Sequence, residues 1–200
     1  MSQQSILKTA DEFIKKKFSG ESTGHDYFHI ERVVKTAIKI AKEENADLFL
    51  VELAARLHDL GDYKLNGGKD RSEELITKFL KAQNADSELI SKIVEIVSQI
   101  SFSKGKKAIS IEAQIVQDAD RLDAMGAIGI ARCFAYGGKT EREIWNSENP
   151  NETGLQHFYD KLLKLKDLMN TSEGRKIAEE RHRFLEEFLK RFLDEWDSGK

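Results

Sequence analysis

Five histidines occur among the 200 residues, and one of them stands beside an aspartate at the end of an apolar run, "VELAARLHD", with Asp62 and Lys64 just beyond. A carboxylate buried without a partner is too costly to keep, so such a group needs a cation, a hydrogen-bond network or a shifted pKa. Asp120, in "QDADRLDAMG", raises the same question. On a helix it shares a row with Ala113, Val116, Ala124 and Ala127, so its carboxylate faces small apolar side chains. His29 falls in the first turn of a further predicted helix. Two imidazoles (His29, His58) and two carboxylates (Asp59, Asp120) from three helices can enclose one divalent metal and leave positions for water and substrate. Adjacent His58 and Asp59 do not share a helical face, but at a helix end, where the backbone leaves regular geometry, both can converge on one ion. Mixed nitrogen and oxygen donors suit Mn²⁺, Fe²⁺, Co²⁺, Ni²⁺ or Zn²⁺ better than Ca²⁺. Each residue alone has an ordinary explanation: His29 as a satisfied core or surface histidine, Asp59 as a cap, Asp120 as a partner of Arg121 or Arg32, Asp123 as a partner of a neighbouring base.

The elements that must position these groups read as helices. One proline, Pro150, leaves little to interrupt them, and apolar residues recur at three and four rather than at two. Helices are predicted over about 5–18, from 25 or 26 to 45, and over 48–59. Asp70 and Ser72 are candidate caps for a helix to about 82, and Asp86 and Ser87 open another through Ile100. Ser110 can cap a long segment from 111 to about 136, bent or divided near Gly126 and Gly129. A loop or short helix covers 139–153, and helices over 155–170 and 172–196 close the chain. The last carries Ile177, Phe184, Leu185, Phe188, Leu189, Phe192 and Trp196 as its core stripe. The expected architecture is therefore all-α and a single domain, with no linker or internal repeat to divide residues 1–200.

Charge and cysteine use exclude several classes. A formal net charge of -3 argues against stable nucleic-acid binding. The lysines at 15–17, 104, 106 and 107 read as solvated faces. A lone cysteine, Cys133, cannot form an intramolecular disulfide, and neither a signal peptide nor an apolar span is evident, so the expected location is cytoplasmic.

The order H, then HD, then D, as His29, His58-Asp59 and Asp120, resembles the HD-domain metal-dependent phosphohydrolase superfamily. The segments "HDYFHIERV", "AARLHD", "SQISFS", "EAQIVQDADRLDAMGAIGIARCFAYGG", "HFYDKLLKLKDLMNT" and "AEERHRFLEEFLKRFLDEW" are similar to its YedJ/YpgQ-type branch over almost the whole chain. An HD pair is a weak signal; "IVQDADRLDAMGAIGIAR" is a specific one. The resemblance implies an HD-domain helical bundle with a metal-binding core over about 20–136 and the helices of about 155–196 packed on it.

It also implies roles. His29, His58, Asp59 and Asp120 correspond to metal ligands, Asp120 being preferred over Asp123 because it precedes the Arg121-Leu122 pair. Asp123 and Arg121 then support the ligands from outside. Asp62 corresponds to an acidic residue that positions or deprotonates water. Lys64, Arg32 and His25 are candidate substrate contacts, with bracing of a carboxylate open for Arg32 and structural work open for His25. Some relatives carry a histidine where this chain has Ile100, a departure that favours one metal over two. The implied cofactor is one divalent ion, Mn²⁺ first, with Co²⁺, Ni²⁺, Fe²⁺, Mg²⁺ or Zn²⁺ as alternatives. The implied reaction is hydrolysis of a small nucleotide, most specifically a nucleoside or deoxynucleoside triphosphate cleaved to monophosphate and pyrophosphate. Nucleotidase or phosphodiesterase activity, or a non-catalytic nucleotide sensor, remain alternatives, and a homo-oligomer is compatible with the sequence.

Overall fold

A computed structural model describes residues 2–20, 26–63, 66–100 and 108–197. The described residues contain helices and no strand, as the periodicity predicts. The chain forms two compact units, Met1–Ala119 and Asp120–Lys200.

In the first unit, α1 (Gln3–Lys17) buries Ile6, Ala10 and Ile14, and Ser2 caps it by accepting from the Ser5 N–H. Helix α2 (Tyr27–Glu43) starts at Asp26, whose carboxylate accepts from the His29 N–H at 2.6 Å and so satisfies a donor that the helix itself leaves orphaned. Helix α3 (Leu48–Leu57), capped by Asp47, is enclosed on most sides: Val51, Leu53, Ala54, Ala55 and Leu57 are buried. It packs against α1, α2 and α5. Its regular part ends at Leu57, two residues before the predicted end, and His58 occupies the cap. Helices α4 (Ser72–Ala82) and α5 (Ser87–Ser98) pack as a pair, α5 being capped by Asp86. The cap residue of α4 is Arg71 rather than Asp70 or Ser72, although Asp70 still accepts from the Ser72 N–H.

Ser110 caps α6 (Ile111–Asp123) by accepting from the Ala113 N–H, as expected. The predicted division falls at Gly126, whose φ of 66° is open to glycine and strained for other residues. Ala124 and Ala127 lie past the end of α6, so the small-residue row predicted around Asp120 does not continue through them.

In the second unit, α7 (Gly126–Lys139) and α9 (Ser172–Asp197) pack together. The predicted helix over 155–170 is instead a short α8 (Gln156–Asp160) and a 3₁₀ helix, Leu162–Leu168, interrupted at Lys161. Leu162 and Leu165 are the buried residues there, and a three-residue spacing aligns on one face when the chain winds at three residues per turn. The stripe of α9 also differs from expectation. Its buried line is Ala178, His182, Leu185 and Leu189, while Phe184 and Trp196 are 45% and 49% exposed. Phe134, Phe158 and Phe188 extend this core as tilted and stacked rings 5.8–6.1 Å apart. Among the described residues no helix is long and apolar enough to cross a membrane.

Candidate metal centre

The end of α3 and the first turn of α2 meet at the candidate centre. His29 is fully buried and His58 and Asp59 nearly so. The chain past Leu57 turns tightly: Leu60 N–H donates to the Leu57 carbonyl and Asp62 N–H to that of Asp59. This departure from helical geometry lets neighbours 58 and 59 project toward the same place. His29 Nε2 lies 3.5 Å from Asp59 Oδ2, and His58 Nε2 lies 3.4 Å from Asp59 Oδ1. The two imidazoles meet edge to face with centroids 5.4 Å apart.

His58 Nδ1 is 2.8 Å from the Ala55 carbonyl oxygen. A carbonyl only accepts, so Nδ1 carries the hydrogen, and in the neutral ring the lone pair sits on Nε2, the atom facing Asp59. Donor atoms bound about 2.1 Å from one ion are separated by about 3.0–3.4 Å in octahedral or tetrahedral arrangements. The separations of 3.4 and 3.5 Å are longer than a good N–H···O bond and close to that requirement. The donor set, nitrogen with oxygen, therefore fits a divalent transition metal.

Gly61 closes the turn from outside. The Arg71 N–H donates to its carbonyl at 2.9 Å, and a Cβ built on it would lie 2.1 Å from the Ser72 nitrogen. Only a residue without a side chain allows the start of α4 to approach here. Asp62 is half-buried, and its carbonyl accepts from the Asn66 side chain at 2.8 Å. Arg32 stands one turn after His29 on α2, also half-buried. His25 and Lys64 lie outside the described residues. Ile100 is buried and apolar.

In the second unit, Asp120 is half-buried on the last turn of α6. Asp123 is buried and takes Arg132 Nη1 at 2.7 Å on Oδ2, while Arg121 donates to the Leu168 carbonyl. Arg181 donates to the Leu122 carbonyl, and its aliphatic stem covers Gly126. Burial lowers the Arg181 pKa, with Asp123 acting in the opposite direction.

Several polar groups here escaped the sequence reading. Asp118 is fully buried, and the signal was its place three residues after Ile115 and four before Leu122, on the most apolar row of α6. Gln117 Nε2 donates to the Gln99 carbonyl at 2.9 Å, and Gln99 accepts the Ile109 N–H at 2.8 Å. Asp11, Tyr27 and Arg56 form a linked set, and burial together with Asp11 pushes the Tyr27 hydroxyl up to about 12.

The family model for the HD domain matches residues 26–125, which hold His29, His58, Asp59 and Asp120. The Bacillus subtilis protein YpgQ is 40% identical over 191 residues, covering 92% of each chain. A solved HD-superfamily hydrolase from Bacillus thuringiensis matches with a TM-score of 0.83 at 40% identity, covering 98% of this chain and 99% of its own. A structure of B. subtilis YpgQ in complex with ADP matches with a TM-score of 0.82 at 37% identity, covering 96% and 98%.

Proposed function

Because the chain belongs to the HD-domain family, whose members are metal-dependent phosphohydrolases, we propose that it cleaves a nucleoside or deoxynucleoside triphosphate to monophosphate and pyrophosphate. The convergence of His29, His58 and Asp59, with the His58 tautomer fixed by the Ala55 carbonyl, carries the reading. The ADP held by the B. subtilis relative supports a nucleotide as the substrate class.

His29, His58 and Asp59 hold one divalent ion, with Asp120 as the fourth ligand. Manganese is the first choice. Buried, apolar Ile100 adds no further donor. An ion so held offsets charge on the phosphoryl group and lowers the pKa of a ligated water. The chain supplies the rest: Asp62 orients the attacking water and takes its proton on a carboxylate oxygen, Lys64 and Arg32 bind phosphate oxygens, and His25 contacts the leaving part of the nucleotide. Asp123 and Arg121 hold the turn that carries Asp120. The enzyme works in the cytoplasm on free nucleotides, without stable nucleic-acid binding, and its single cysteine requires no oxidising compartment.

A panel of nucleoside triphosphates, diphosphates and monophosphates incubated with Mn²⁺, Co²⁺ or Mg²⁺ tests the reading. Equal release of monophosphate and pyrophosphate from a triphosphate is expected. No phosphate or pyrophosphate from any member of the panel would overturn it.

A further inference from the structure

The histidines of the metal centre sit on α2 and at the end of α3, and one carboxylate from α1 is fastened to both helices. Asp11 accepts from the Tyr27 hydroxyl, at 3.1 Å to Oδ1 and 3.3 Å to Oδ2, and pairs through Oδ1 with Arg56 Nη1. Tyr27 lies two residues before His29, and Arg56 two before His58. Glu52 holds the other edge of the same guanidinium, its Oε1 lying 3.2 Å from Nε and 2.7 Å from Nη2. The planar fork thus spends one edge inside α3 and reaches across to α1 with the remaining nitrogen. The Arg56 and Asp11 side chains are 17% and 34% exposed, so the pair is screened less than a pair on the open surface.

A tether at these points restrains rotation of each helix about its own axis. A ligand nitrogen about 7 Å from the axis moves about 1 Å for a rotation of about 10°, whereas a metal site tolerates about 0.2 Å in its bond lengths. The burial of apolar surface is non-directional and does not by itself select one rotation. The hydroxyl and guanidinium bonds to one fixed carboxylate resist it directly.

We propose that Asp11 is a positioning residue of the metal centre, holding Tyr27 and Arg56 so that His29 and His58 keep the separation a divalent ion requires. The inference rests on the metal-centre reading above.

The test compares the parent protein with Asp11→Asn by Mn²⁺ calorimetry and by the visible spectrum of bound Co²⁺. Asp11→Asn is expected to stay helical, to bind Mn²⁺ about tenfold more weakly, and to shift the Co²⁺ bands. Ile76→Val, in α4, serves as the control for lost stability and is expected to bind Mn²⁺ like the parent. Parent-like affinity and an unchanged spectrum in a folded Asp11→Asn protein would overturn the proposal, as would an equal loss of affinity in Ile76→Val. Should Asp11→Asn fail to fold, Tyr27→Phe decides: weaker Mn²⁺ binding supports the tether, and parent-like binding overturns it. Failure of the parent to bind either ion would instead remove the metal-centre reading, and this inference with it.

Discussion

With one ring His58 closes a helix and faces Asp59. Its Nδ1–H satisfies the Ala55 carbonyl, a group that the end of α3 would otherwise leave without an intrahelical donor, and this fixes the lone pair on Nε2. Asp59 then brackets both imidazoles. Asp59→Ala should lower Mn²⁺ affinity and turnover by at least about a hundredfold while far-ultraviolet circular dichroism stays helical; retained turnover would remove Asp59 from the site. Cys133 gives a second prediction. Burial pushes its thiol up to about 11, and its Sγ lies 3.5 Å from the Gly154 carbonyl. Iodoacetamide at pH 8 should label this half-buried thiol far more slowly in the native protein than in denaturant; equal rates would contradict the raised thiol. That His29, His58 and Asp59 meet was legible from the three taken together and from the longer motif that carries the family resemblance, the HD pair alone being a weak signal. Asp11 was not. Its partner Arg56 is 45 positions away, and beside Glu52 that arginine reads as an ordinary i,i+4 surface pair.

Elements deliver these residues through their ends. Caps at Asp86 and Ser110 were read from the chain, because a short polar side chain before an apolar period has a local physical cause, and Asp26 and Asp47, which were not predicted as caps, act in the same way. The 3₁₀ segment Leu162–Leu168 could not, since leucines spaced at three fit an α-helix almost as well and the choice is made by what buries them. Gly61 carries the element-scale prediction. A methyl group there meets the backbone of Ser72 at 2.1 Å, and backbone cannot swing aside as a flexible side chain can. Gly61→Ala should cost about 3 kcal/mol of stability, read from urea unfolding, and should weaken Mn²⁺ binding by displacing His58 and Asp59. Wild-type stability would show that the approach of α4 is not rigid.

At the scale of the whole molecule, metal and protons act on the folding equilibrium. An ion that binds only the folded chain adds about 2.7 kcal/mol at a hundred times its Kd. For a chain of this size that corresponds to a rise of about 5–10 °C in melting temperature, which a chelator should reverse. An unchanged melting temperature with saturating Mn²⁺ would argue against a folded-state site. His157 links stability to pH. Burial lowers its pKa from 6.5, with Lys161 and Arg142 adding to the effect. The unfolded ring therefore takes up a proton first. Its contribution is complete above about pH 6.5 and is lost as pH falls from there through the lower folded value. The melting temperature of His157→Gln should decline less between pH 7 and 5 than that of the parent, and identical slopes would refute the assignment.

The closure at Gly61 and Arg71 has one more consequence. The chain departs beside His58 and Asp59 and returns to the same point ten residues later, where a backbone hydrogen bond and a contact that excludes any side chain fix both ends. The excursion between these two points, which carries Asp62, thus has a common start and finish. Lengthening or rewriting that excursion need not shift His58 or Asp59. A relative can then differ in this stretch while keeping the placement of His58 and Asp59, and an engineer can exchange it between relatives as a cassette.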